Sequence, residues 1–172
     1  KMHGGVNKME LATENTQALE VGLANLEKHM ETLEAFEVPY VVAINRFISD
    51  SETEITLLKK WCEDRGVSVA LTDVWANGGE GGLELAEKVL SEIETNKKVL
   101  KPIYELTDSI SEKIEKIAMT VYGAEGVDFS PKAFKQIEQF ESEGWGGLPV
   151  CMAKTQYSLS DDPVKLGRPS GF

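Results

Sequence analysis

The chain has 172 residues, 41% of them hydrophobic, and a formal net charge of -11. That length and apolar content suit one domain, or one and a half, with a core of its own. The negative field, with no Lys/Arg run to offset it, argues against nucleic acid as a partner, and the lack of a long apolar stretch or a basic-then-apolar start argues against a membrane partner and a secretory signal, so a cytoplasmic protein is expected.

The opening Lys1-Met2-His3-Gly4-Gly5 and the closing Ser170-Gly171-Phe172 do not resemble natural frayed termini, and a fragment of a longer chain is expected. Leu19, Leu23, Leu26, Met30 and Leu33 recur at four, three, four and three residues, which predicts an amphipathic helix over roughly 14–35. Pro39 blocks continuation, and Tyr40 to Ile44 reads as a strand buried on both faces. Ser51 with Glu54 predicts a capping box for a helix striped by Ile55, Leu58, Trp61 and Cys62, ended by Gly66. Val67 to Leu71 reads as a second buried strand. The Gly78 to Gly82 loop then leads into a helix faced by Leu83, Ala86, Leu90 and Ile93. This α-β-α-β-α order predicts an α/β fold with a parallel sheet.

From about Asn96 the pattern changes. Leu106, Ile110, Ile114, Ile117 and Val121 predict a long helix, and Ser130-Pro131 predicts the cap and first turn of a helix faced by Phe134, Ile137 and Phe140. Leu148 to Ala153 reads as one more strand, and the tail from Thr155 as turns. Acidic residues such as Glu31, Glu34, Glu37, Glu112 and Glu115 read as solvated faces. Cys62 and Cys151 stand alone, without metal-ligand or disulfide spacing, and are expected to be buried, reduced thiols.

In an open parallel sheet, ligands bind outside the carboxyl ends of the strands. Two loops lie there: Asn45 to Asp50, and Asp73 to Gly82. Adjacent parallel strands would bring Phe47 and Trp75 to one rim, where a flat heteroaromatic ligand could slot between the rings; the alternative is that both rings pack under their loops. The glycine run could approach an anion closely at a helix N-terminus, but it lacks the lysine and hydroxyl of a GxxxxGK[ST] loop, and a tight turn alone is the alternative. Asn45 with Asp50 resembles a base-reading loop with the wrong spacing for a GTPase, and a tie between the two loops through the Asn45 amide is the other reading. His3 and His29 have no ligand-spaced partners, and no hydrolase nucleophile motif is present. The polar stretch Lys154 to Pro163 could line a pocket or form a solvated turn.

Lys1 to Val6, Val41 to Phe47, Val74-Trp75-Ala76 with Gly78 to Gly82, Phe129-Ser130-Pro131, Leu148 to Pro163 and Leu166 to Pro169 together resemble formate-tetrahydrofolate ligase in order and spacing, across the whole chain. The resemblance implies a fold in which 1–97 end a core like that of P-loop nucleotide hydrolases, without its phosphate loop, and 98–172 form a helical and α/β region. It implies an ATP-dependent ligase that makes formyl phosphate from formate and transfers the formyl group to N10 of tetrahydrofolate. The resemblance implies ATP with Mg²⁺, a monovalent cation and a homotetramer, with the phosphate site on residues outside this sequence. Carried over by position, Phe47, Trp75 and Leu71 would bind the folate ring. Asn45, Gly78, Gly79, Gly81, Ser158, Ser160, Asp161 and Pro163 would lie on the nucleotide side, and no metal ligand or catalytic residue is expected here. Ile48 stands where many relatives have proline. A non-catalytic α/β binding or scaffold module is the competing expectation.

Overall fold

In a computed structural model, which describes residues 1–153 and 155–172, the chain divides into two compact units. One comprises residues 1–23 and 37–100, the other residues 24–36 and 101–172.

The first unit is built on two parallel strands, β1 (Val42–Asn45) and β2 (Val69–Thr72), joined through helix α2 (Glu52–Glu63). Val42 pairs with Val69 and Asn45 with Thr72. Ile44, Cys62 and Val69 form the centre of the core, with Val42, Leu58, Trp61, Val67 and Leu71 packed around it. Cys62 is fully enclosed, and burial pushes its thiol pKa up. β2 is buried as expected, but β1 is not: Ile44 alone is enclosed, while Ala43 and Asn45 are exposed. A strand is buried on both faces only when both are covered, and here the cover lies over one face.

After β2 the chain makes a single helical turn, α3 (Val74–Asn77), then a 3-10 turn through Gly78–Gly82, and enters α4 (Leu83–Thr95). The stripe expected to face the core, Leu83, Ala86, Leu90 and Ile93, points outward instead. The outer edge of β2 explains the rotation. Its peptide groups would otherwise be unpaired, and the charged flank of α4 satisfies them: Lys88 donates to the Val69 carbonyl and Glu84 accepts from the Leu71 N–H at 3.4 Å. Glu92, one turn further along the same flank, accepts from the Ser68 hydroxyl at 2.8 Å.

His3 and Gly4 lie against Ala18 and Gly22 in the first half of α1 (Thr16–Ala35). Ser51 caps α2 by accepting from the Glu54 N–H at 3.2 Å, but the expected box stays half made. The Glu54 carboxylate instead accepts from the Asn15 N–H at 2.6 Å and from the Lys1 ammonium at 2.8 Å. Burial alone would raise the Glu54 carboxyl pKa; the hydrogen bonds from Asn15 and Lys1 outweigh it and leave it below the usual value. The unfolded chain therefore binds this proton more readily than the folded one. The stabilisation is present above the unfolded carboxylate pKa and is lost as pH falls through the folded one. Acidification from about pH 5 to about pH 3 should lower the urea midpoint of the wild type more steeply than that of Glu54→Gln. Parallel slopes for the two proteins would remove Glu54 from the acid response.

In the second unit, α1 buries Asn25, Lys28 and Met30. Asn25 donates to the Gly167 carbonyl at 2.9 Å, Lys28 to the Thr120 carbonyl at 2.8 Å, and Arg168 grips Glu31 with two bonds of 2.7 Å. The long helix expected from Leu106 begins four residues later, as α5 (Ile110–Ile117). Ser109 and Glu112 form a reciprocal capping box there, so Glu112 closes a helix end rather than merely solvating a face. A π-helical turn, Ala118–Tyr122, follows. Helix α6 (Pro131–Ser142) starts at the expected Ser130 cap, and of its apolar stripe Ile137 is buried while Phe134 and Phe140 are partly open to solvent.

The strand expected at Leu148 to Ala153 does not form, and no strand occurs among the described residues of this unit. An apolar run without a neighbouring strand has nowhere to pair; the Val150 N–H donates to the Tyr104 hydroxyl at 3.0 Å instead. Cys151, expected to be buried, is exposed. Among the described residues, no helix is long and apolar enough to cross a membrane.

Candidate functional site

Parallel pairing puts the carboxyl ends of β1 and β2 at one rim. Asn45 and Thr72 are the last paired residues, and the Arg46 N–H donates to the Thr72 carbonyl at 2.9 Å, carrying the register one step further. Phe47 and Trp75 therefore leave the sheet two and three residues beyond its end, on adjacent strands. The Trp75 indole N–H donates to the Arg46 carbonyl at 2.7 Å, which ties the second loop to the residue preceding Phe47. That tie runs through the indole and not through the Asn45 amide, whose residue is exposed. Phe47 is itself held in a tight turn: its N–H donates to the Asp50 carboxylate at 2.8 Å, and the Asp50 N–H donates to the Phe47 carbonyl at 3.0 Å.

Neither ring is packed beneath its loop. Phe47 is 60% and Trp75 56% exposed, and Ile48 beside them is 86% exposed. Two large aromatic surfaces held open on a fixed rim can take a flat ring by stacking. Leu71 lies partly buried on β2 against the core cluster, behind the rim.

The glycine run has internal reasons for its composition. Gly78 takes a φ of 60°, which disfavours any side chain. A Cβ on Gly81 would lie 2.3 Å from the Asp73 carboxylate, and the Gly81 carbonyl accepts from the Asp73 N–H at 3.1 Å. Gly79 has open space around it. The run thus folds back on Asp73, whose negative charge works against a phosphate at that spot.

The remaining sequence-derived candidates lie in the second unit. Ser158 and Ser160 are buried, and their hydroxyls are committed to one another at 3.0 Å, to the Lys165 carbonyl at 2.6 Å and to the Asp162 carbonyl at 3.1 Å. Asp161 and Pro163 are exposed on the same series of turns. Lys154, at the head of this polar stretch, lies outside the described residues. Ser160 and Asp161 line a cleft of about 840 Å³, together with Tyr122, Leu159, Lys165 and Phe172. Burial raises the pKa of the Tyr122 phenol on this wall.

Sequence reasoning did not find Arg46 and Asp50 as the groups that hold the two rings. An Asp three residues after an aromatic, in a loop with turn composition, is a signal for such a clasp, but a common one. Among the described residues, no three His, Cys, Asp or Glu converge as metal ligands. The family model described as formate–tetrahydrofolate ligase matches residues 1–172. With the whole of its length matched, the chain belongs to the formate–tetrahydrofolate ligase family.

Proposed function

We propose that this chain supplies the folate-binding wall of an ATP-dependent ligase that joins formate to tetrahydrofolate, giving 10-formyltetrahydrofolate. The observation that carries the reading is the pair of exposed aromatic rings, Phe47 and Trp75, on two loops joined by the Trp75 indole at the carboxyl end of a parallel sheet. The pterin ring would stack against them, with Leu71 beneath, and the rest of the molecule would be aimed so that N10 meets the formyl carbon. Holding two reactants in this way removes much of the entropic cost of their encounter.

ATP activates formate as formyl phosphate in this scheme. The residues of this chain do not fit the phosphate and metal part of it. The sequence has no GxxxxGK[ST] loop, no carboxylate or imidazole cluster suited to Mg²⁺ occurs among the described residues, and the glycine run faces Asp73. We therefore assign ring binding to these residues and route no phosphoryl or cation step through them. Taken by themselves the 172 residues are expected to bind folate without turnover. The outward apolar stripe of α4 and the uncovered face of β1 support further elements of a nucleotide-hydrolase-type core packed on them. A cytoplasmic homotetramer completes the proposal.

Trp75→Ala removes one stacking face and the donor to Arg46. It should weaken tetrahydrofolate binding by about thirtyfold, the equivalent of about 2 kcal/mol, in an equilibrium titration of the full-length protein. Unchanged affinity in that variant would sink the ring assignment.

A further inference from the structure

We propose that Asp50 is a positioning residue for the ring pair, acting through the peptide group between Arg46 and Phe47. The proposal rests on the ring-binding reading above and deepens it. That one peptide is held at both of its polar ends. Its carbonyl accepts from the Trp75 indole at 2.7 Å, and its N–H donates to the Asp50 carboxylate at 2.8 Å. A second bond, from the Asp50 N–H to the Phe47 carbonyl at 3.0 Å, closes the turn and fixes the backbone on the far side of Phe47 as well. The Arg46 side chain is drawn away into an ion pair with Glu52, so the part of Arg46 that serves the rim is its backbone.

The consequence is electrostatic as well as geometric. A peptide N–H bonded to a full negative charge shifts electron density toward its own oxygen, and that oxygen then accepts more strongly. The carboxylate of Asp50 thus strengthens the bond that orients Trp75, a residue on the other loop. Exposed rings need such a frame, because any freedom they keep in the unliganded protein must be given up when a ligand stacks on them. Asp50 sets the Phe47 backbone directly and the Trp75 plane at one remove.

The test uses the full-length protein, with tetrahydrofolate as the titrant and Michaelis constants measured for tetrahydrofolate and for ATP. Asp50→Ala should weaken tetrahydrofolate binding about tenfold and leave the ATP constant unchanged. Asp50→Asn keeps an acceptor oxygen without the charge and should recover affinity to within about threefold of wild type. Trp75→Phe keeps a ring but cannot donate, so in that background the Asp50→Ala loss should shrink to the part owed to Phe47 alone. Wild-type affinity in Asp50→Ala would overturn the proposal. So would a full loss persisting in the Trp75→Phe background, or an equal rise in both Michaelis constants. Should Asp50→Ala fail to fold by far-ultraviolet circular dichroism, Asp50→Asn decides. A small loss that diminishes with Trp75→Phe supports the coupling, and no loss, or one that does not diminish, overturns it. A Trp75→Ala variant that binds normally overturns the ring site itself, whereas weak Trp75→Ala with normal Asp50→Ala overturns only the role given to Asp50.

Discussion

Gly4→Ala is expected to destabilise the first unit by about 3 kcal/mol or more, because a buried backbone contact leaves no room for a methyl group. A Cβ built on Gly4 would lie 1.8 Å from the Ala18 carbonyl oxygen and 2.6 Å from its carbon. Both atoms belong to the backbone of α1, which cannot swing aside as a side chain can. The Met2–Gly4 turn would have to lift off the helix, and the Lys1 side chain that reaches Glu54 would move with it. Gly22 offers the control on the other side of the same contact. Its added Cβ would meet the Gly4 nitrogen at 3.2 Å, a clash that a few tenths of an ångström relieve. Alanine in a helix interior also gains about 1 kcal/mol over glycine, so Gly22→Ala should be close to neutral. Urea unfolding of the two variants separates the cases, and equal midpoints for Gly4→Ala and wild type would mean that the turn does not sit tightly on α1.

Many of the elements were legible because their signals are local. The stripe of α1, the two β-branched runs and the Ser51 and Ser130 caps each depend on a few neighbouring residues, and each element formed within two residues of its expected bounds. The joint placement of Phe47 and Trp75 was legible for a different reason: parallel strands joined by a crossover end on the same side, so loops after both must share a rim.

What failed to show in the sequence depends on partners. The stripe Leu83, Ala86, Leu90 and Ile93 predicts a core-facing side, but periodicity says only that an apolar face exists, and the unpaired edge of β2 draws the charged flank of α4 inward instead. Leu148 to Ala153 has the composition of a strand and no strand to pair with. The glycines of the second loop suggested a ligand, and the structure gives Gly81 a nearer reason in Asp73. The clasp of Asp50 on Phe47 and the bond from Trp75 to Arg46 are set by the angle between two loops, which no spacing rule encodes.

Lys113 was hidden for the opposite reason: its charge disguised a core position. It lies three residues after Ile110 and four before Ile117, on the apolar face of α5, and it is fully buried. Its ammonium donates to the Gly146 carbonyl at 2.5 Å and the Leu148 carbonyl at 3.2 Å, so it holds the segment that follows α6 against α5. The stacked pair Phe140 and Trp145, with centroids 5.5 Å apart, sits at the start of that segment, and the Tyr104 hydroxyl holds its far end at Val150. Lys113→Met keeps most of the volume but loses both charge-assisted bonds, and should cost about 2–4 kcal/mol. Lys113→Ala should cost more, because a cavity is added to the lost bonds. Tyr104→Phe removes one neutral partner and should cost only about 1 kcal/mol. Hydrogen exchange at residues 144–150 should rise sharply in Lys113→Met, since the lysine restrains that segment against local opening. If exchange there stayed at the wild-type rate while the midpoint fell, the lysine would be stabilising α5 alone, and the two carbonyl bonds would not be what fixes the segment.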